Sequence, residues 1–546
     1  MFARVKKSGR NEYLQLVENR REGKKISQRV VATIGRIDEL QAKGGIETII
    51  RSLSRFSEKI VMILSARDNP DVRATARKIG PAIIFERLWQ EMGIGKIIRD
   101  LLKDRKFGFD VERAVFLTVL HRLFVSGSDR SCDKWRRDHR IDGVEAISLH
   151  HLYRAMAFLG EETEDQRDRT PFSPRCTKDV IEEELFQFRR DLFSGLDCVF
   201  FDTTSIYFEG EGGETIGEFG HSKDHRPDLL QMVVGVILDH HGRPVCCEMW
   251  PGSTADVKTL IPVIKRLKSR FDIGDVCVVS DRGMISKETM AYLEEEKISY
   301  ILGARMRRSK EVQVEVLSRA GRYREVHPGG RNHKDPSPLK VKEVLVGGNR
   351  YVVCLNEKQA LKDAADRQAI IDSLREKLES NPKSLVGNKG YRKYLKLEKD
   401  TVSVDQAKIE EEARYDGKWV LKTNTPLTTE QVALKYKELW QVEQVFRDMK
   451  SILDTRPIFH QRDETIRGHV FCSFLALILR KELDGRLERA GHHLEWADIK
   501  RDLEALQEVT ITQQGKSLAV RTECMGSCGK VFQAVGVAVP PTIREL

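Results

Sequence analysis

The sequence predicts an α/β protein built on a mixed β-sheet, with a β hairpin and a helical region before the sheet and a mainly β insertion before its last helix. Three observations carry this. Five apolar runs between residues 196 and 302 read as strands; two helical patterns, 255–271 and 287–296, separate the last three of them; and a long helical pattern, 429–453, returns after a Gly- and Lys-rich stretch of different texture.

In chain order, residues 13–17 and 29–34 read as short strands around the basic, turn-like stretch 20–25, a small basic hairpin within 1–42. From 43 to 190 the pattern is helical, with Asp110 as an N-cap before Val111, Ala114, Val115, Leu117, Leu120 and Leu123. Residues 129–137 add a basic segment with one aromatic. We read 43–190 as a DNA-binding helical region, against the alternative of a merely solvated charged face.

Residues 191–305 form the first part of the sheet. The run 196–201 leads directly into Asp202, the strands 230–238 and 244–250 are joined by the turn 240–243, and the buried run 275–280 delivers Asp281. Three antiparallel strands, then helix, strand, helix, strand, is the RNase H-like plan. Residues 306–428 read as an inserted, mainly β domain with a charged helix over 363–379; 429–482 completes the core, and 483–546 reads as a helical tail.

Carboxylates at the ends of adjacent strands suit hard divalent cations, because the sheet fixes oxygen ligands that point past it. Phosphoryl transfer needs such charge on both the attacking and the leaving oxygen, which two ions about 3.5–4 Å apart supply. Asp202 and Asp281 each follow an apolar run, and Glu443 lies on the helix expected to cross the same end. Asp197, Asp239 and Asp256 compete, but they begin a strand, sit in a turn and open a helix, respectively. Tyr436, Trp440, Glu443, Arg447 and Lys450 recur every three or four residues and are expected on one helix face. His221, Lys223, His225 and Arg226, between two strands, suit phosphate contact better than a metal; a solvated loop is the alternative.

These residues resemble the DDE transposases of bacterial insertion sequences, in particular the IS-1634-type group of the IS-4-like superfamily. Residues 436–450 are similar to that superfamily's Y-x2-R-x3-E-x6-K signature, departing at Leu439, where the signature has Arg. Residues 201–204, 280–283, 220–228, 4–7 and 456–460 carry further similarity. The resemblance implies Asp202, Asp281 and Glu443 as catalytic metal ligands, with two Mg²⁺ ions for which Mn²⁺ substitutes. It also implies recognition of terminal inverted repeats, cleavage at the element ends, joining of the 3′-hydroxyl to target DNA, and a homodimer that pairs two ends. Tyr436 and Lys450 would hold phosphates; Arg282 and Trp440 would steady a distorted base.

Composition agrees. Across 546 residues the net charge is +10, which favours a polyanionic partner such as double-stranded DNA. No run of about 18 uncharged apolar residues crosses a bilayer. The basic start lacks a secretory pattern, so a bacterial cytoplasmic, nucleoid-associated protein is expected. Ten cysteines read as reduced core thiols, and Cys524 and Cys528 lack the second pair a zinc site needs. The rival readings are a nuclease or resolvase on the same fold, without joining, and a DNA-binding regulator that has lost catalysis.

Overall fold

The structure, a computed structural model, describes residues 2–22, 25–42, 44–54, 73–125, 127–170, 173–189, 198–271, 276–327, 338–380, 392–398, 401–451, 458–513 and 516–546. Gly23, Lys24, Leu196, Asp197, Asp275, Leu453, Arg456 and Pro457, used in the sequence readings, lie outside the described residues. The chain divides into two compact units, Met1–Ala76 with Val509–Val520 and Thr542–Leu546, and Arg77–Glu508 with Arg521–Pro541.

The N-terminal strands are β1 (Phe2–Ser8), β2 (Asn11–Glu22) and β3 (Lys25–Arg36), followed by α1 (Ile37–Ala42), α2 (Gly45–Ser54) and β4 (Arg73–Lys78). The expected hairpin is thus a three-stranded meander, with Phe2 opposite Val17 and Ser8 opposite Asn11. Its first strand, rich in Lys and Arg and nearly all exposed, has the charged character of a solvated edge rather than an apolar run.

The second unit opens with α3 (Gly80–Glu91), α4 (Ile94–Leu101), α5 (Val111–Phe124), α6 (Asp129–Trp135), α7 (Leu149–Gly160) and α8 (Thr177–Arg189). Asp110 caps α5 as expected, accepting from the Arg113 N–H at 3.0 Å. Residues 129–137, by contrast, do not present an aromatic surface. Trp135 is buried and stacks on His139 at 3.7 Å, while Arg136 and Arg137 both pair with Asp133.

The sheet follows: β5 (Cys198–Tyr207), β6 (Gln231–Asp239), β7 (Pro244–Pro251), α9 (Leu260–Phe271), β8 (Cys277–Ser280), α10 (Lys287–Glu295) and β9 (Ser299–Gly303). β5, β6 and β7 are antiparallel neighbours; β8 runs parallel to β5, and β9 parallel to β8. Asp239 makes the β6–β7 turn, its carboxylate accepting from the N–H groups of His241 and Arg243. Every β6 residue before Asp239 is buried, which is why this strand reads as a continuous apolar run.

Next come β10 (Arg324–Val326), β11 (Leu339–Val346), β12 (Asn349–Leu355), α11 (Glu357–Ser380), β13 (Leu395–Glu398), β14 (Thr401–Val404), α12 (Gln406–Ala413) and β15 (Lys418–Thr423). Four of the six strands extend the first sheet rather than building a separate one. The resulting nine-stranded mixed sheet has the order β10-β11-β12-β15-β9-β8-β5-β6-β7.

The chain then forms α13 (Thr429–Lys437), α14 (Trp440–Ser451), α15 (Asp463–Arg489), α16 (Trp496–Ala505), β16 (Gln507–Gln513), β17 (Lys516–Arg521), α17 (Cys528–Val535) and β18 (Ile543–Glu545). α15 is buried continuously from Thr465 to Leu479, as a helix must be when it is the centre of a core, and it packs against α5, α7 and β7. The last 64 residues, expected to be helical, also hold three strands, in a sheet ordered β18-β17-β16-β4. None of the ten cysteines is in a disulfide. Among the described residues no helix is long and apolar enough to cross a membrane.

Candidate active site

The two aspartates are brought together by the register of β5 and β8. Phe201 pairs with Ser280, so Asp202 and Asp281 are the next residue on each of two neighbouring parallel strands, which run about 4.8 Å apart. β8 ends at Ser280, whereas β5 continues to Tyr207, so Asp281 leaves a strand end and Asp202 stands mid-strand where its neighbour stops. The Tyr436 hydroxyl donates to Asp281 Oδ1 at 3.0 Å. Gly303 makes room for this contact: a Cβ there would lie 3.0 Å from the Arg282 backbone nitrogen and closer still to the Tyr436 hydroxyl.

A third aspartate joins them that sequence reasoning set aside as a helix cap. Asp256 opens a short 3-10 turn, and its Oδ1 accepts from the Thr203 hydroxyl at 2.6 Å. Lys223 Nζ lies 3.0 Å from Asp256 Oδ2 and donates to the Thr203 carbonyl at 2.7 Å and to its Oγ1 at 2.9 Å. No local signal could have exposed Asp256, because its partner is 53 residues away on another strand.

Burial raises the Asp202 carboxyl to about 6; Asp281 and Asp256 push the same way, against the pull of Lys223 and the Thr203 N–H, which donates to Asp202 at 2.7 Å. Burial, followed by the negative charge of Asp281, also moves Tyr436 well above the usual phenol range, so its hydroxyl stays a donor. Ionised, Asp202 adds a negative charge to a crowded acidic pair. Three carboxylates beside the single ammonium of Lys223 leave a net negative set of oxygen donors, which fits a hard divalent cation.

Glu443 is exposed on α14, which packs against β5 and β6, while α13 packs against β8 and β9. The helix expected over 429–453 is therefore two helices, broken at Glu438 and Leu439, where Leu439 N–H bonds back to the Tyr436 carbonyl at 3.1 Å. The expected common face is interrupted there. Leu439 itself is buried in the core, so the position of the signature's Arg faces inward here.

Arg282, His221, Arg226 and Arg447 are exposed, and Trp440 is half-buried. Arg226 lies 5.6 Å from the Tyr207 ring and pairs with Asp228 at 2.8 Å; Arg447 donates to Gln444 at 3.1 Å. Lys450 pairs with Asp224 at 2.9 Å, tying α14 to the loop that holds Lys223.

The described residues contain one group of three His, Cys, Asp or Glu side chains whose ligand atoms all lie within 4.8 Å, namely Asp129, His460 and His469. Asp202, Asp281 and Glu443 are more widely spread. The Asp129 group has a different character. The buried Arg122 guanidinium donates to His469 Nδ1 at 2.9 Å, and burial with Arg122 lowers His460 to about 4.

Two families match the sequence: the transposase DDE domain over residues 194–479, and the IS1634 family transposase N-terminal domain over residues 3–68. No curated protein matches. Among solved structures, the chain is similar to a piggyBac transposase in a synaptic complex with hairpin DNA. The TM-score is 0.38 at 11% identity, covering 78% of this chain and 79% of that one.

Proposed function

Because the chain belongs to the DDE transposase family, as an IS1634-type member, we propose that it binds the terminal inverted repeats of an insertion sequence, cuts DNA at the element ends and joins the freed 3′-hydroxyls to target DNA. Transposase DDE domains use divalent metals. In this reading the sheet is an RNase H-like core, and Asp202, Asp281 and Glu443 hold two Mg²⁺ ions, with Mn²⁺ able to replace them. The observation that supports it most is the side-by-side placement of Asp202 and Asp281 where β8 stops, with Asp281 oriented by Tyr436.

The ions, when bound, neutralise charge on the attacking and leaving oxygens of an in-line displacement. The chain's own groups do the rest. Tyr436 keeps Asp281 aimed at the site, and Thr203 donates its N–H to Asp202, both without taking up a proton. The exposed Arg282, Arg447, Arg226 and His221 meet phosphates of double-stranded DNA, and Trp440 with Arg282 steadies a distorted base at the cut end. A homodimer brings two ends together.

Glu443→Gln tests the third ligand. A duplex carrying an element end should bind the variant with wild-type affinity and not be cut. Cleavage at the wild-type rate would remove Glu443 from the metal shell. A wild-type enzyme that hydrolyses ends and never joins them would instead be a nuclease, and one that binds without cutting a regulator.

A further inference from the structure

Lys223 is better placed to hold the site together than to hold DNA. Its ammonium has three N–H donors, and three acceptors surround it: the Thr203 carbonyl at 2.7 Å, Thr203 Oγ1 at 2.9 Å and Asp256 Oδ2 at 3.0 Å. The Lys223 backbone N–H also donates to Ser205 Oγ at 2.8 Å, which anchors the loop to β5 two residues beyond Thr203. Asp256 closes the arrangement by accepting from the same Thr203 hydroxyl at 2.6 Å. Both sides of Thr203, the residue after Asp202, are therefore held by one ion pair.

We propose that Lys223 and Asp256 are a positioning pair that locks β5 at Thr203 and keeps one positive and one negative charge beside Asp202 and Asp281, so that together they set how tightly those carboxylates take divalent ions. This rests on the reading of Asp202 and Asp281 as metal ligands. Lys223 pulls the Asp202 carboxyl down, while Asp281 and Asp256 push it up. Like-signed charge a few ångströms from a divalent ion weakens its binding and opposite charge strengthens it. The two halves of the pair thus act in opposite senses. A pair that served only packing would not produce that pattern, and a phosphate-contacting Lys223 is told apart by the salt dependence of DNA binding.

The test uses the full chain and Mn²⁺ as the probe, titrated calorimetrically without DNA. Lys223→Gln should bind Mn²⁺ about tenfold more tightly, and Asp256→Asn about tenfold more weakly. Lys223→Arg, which keeps the charge, should stay close to wild type, and Lys223→Met replaces Lys223→Gln if the latter does not fold. In parallel, the salt dependence of duplex binding should be the same for Lys223→Gln and wild type. A slope reduced by about one would make Lys223 a phosphate contact and overturn the proposal, as would metal affinities that move together or not at all. Asp202→Asn separates the two levels. If it leaves Mn²⁺ binding intact, the metal-site reading falls and the pair's role with it; if it abolishes binding while Lys223→Gln and Asp256→Asn change nothing, the positioning pair alone falls.

Discussion

At the scale of single residues, the site is defined by a carboxyl whose charge the free protein tolerates poorly. Asp202 ionises near 6, chiefly because it is buried, where an unfolded chain would ionise it near 3.8. The folded state therefore holds this proton more firmly, so the stability the group contributes is complete below about pH 4 and is lost as the pH rises through about 6. Asp202→Asn, neutral throughout, should match wild type at pH 4 and exceed it at pH 8 by about 1–3 kcal/mol without metal. Melting curves at the two pH values measure this, and Mg²⁺ should narrow the difference by stabilising only the wild type. A metal-free wild type that is the more stable at pH 8 would mean that Asp202 already has its countercharge. On the proposed reading of Asp202 as a metal ligand, cleavage should fall below about pH 6, as its carboxyl takes up a proton. The placement of Asp202 and Asp281 on neighbouring strands was legible in the sequence because each follows an apolar run. Asp256 was not, because its meaning comes from a hydroxyl on a strand 53 residues earlier.

At the scale of elements, legibility followed burial. β5, β6, β8 and β9 are buried almost throughout and stand out as apolar runs, and their order was recovered with them. β4, Arg-Ala-Thr-Ala-Arg-Lys, is almost wholly exposed and carries no such run. The mainly β character of 306–428 was visible, but that four of its strands would prolong the existing sheet was not, since edge pairing is a matter of backbone hydrogen bonds that side-chain patterns do not encode. The break between α13 and α14 was equally hidden, because no Gly or Pro marks it. It divides the labour, with α13 on β8 and β9 carrying Tyr436 to Asp281, and α14 on β5 and β6 carrying Glu443. The inward-facing Leu439 is part of this joint. Restoring the superfamily's cation by Leu439→Arg should therefore cost at least about 2 kcal/mol in denaturant unfolding and add no DNA affinity, since a guanidinium there enters an apolar core. Tighter DNA binding at unchanged stability would show that the side chain at 439 reaches the surface after all.

At the scale of the whole second unit, charge joins the helical region to the sheet. Arg270 on α9 donates to Glu182 at 2.6 Å and Glu183 at 2.8 Å on α8, and to Glu248 on β7 at 3.1 Å. Arg266 pairs with Asp179 at 2.9 Å and Glu248 at 3.0 Å, and Lys178 donates to Asp179 at 2.7 Å and to the Cys247 carbonyl at 2.8 Å. These groups are nearly all buried. Burial pushes Asp179 up, yet Lys178, Arg270 and Arg266 outweigh it and hold the carboxyl well below its usual range. Its contribution is therefore present above about pH 4 and persists until the pH falls through that lowered value. Breaking such a network from one side strands charges in a poorly solvating interior, which costs about 3–5 kcal/mol, although replacing a whole buried ion pair by apolar groups is often neutral. Arg270→Met should accordingly lower the unfolding free energy by about 3–5 kcal/mol at pH 7, and adding Glu182→Leu should recover part of that loss by removing one stranded carboxylate. Urea unfolding of the wild type and the two variants decides the matter. A single variant within about 1 kcal/mol of wild type would mean that solvent or neighbouring acids already relieve these charges, and that apolar packing alone seats α8 on the sheet.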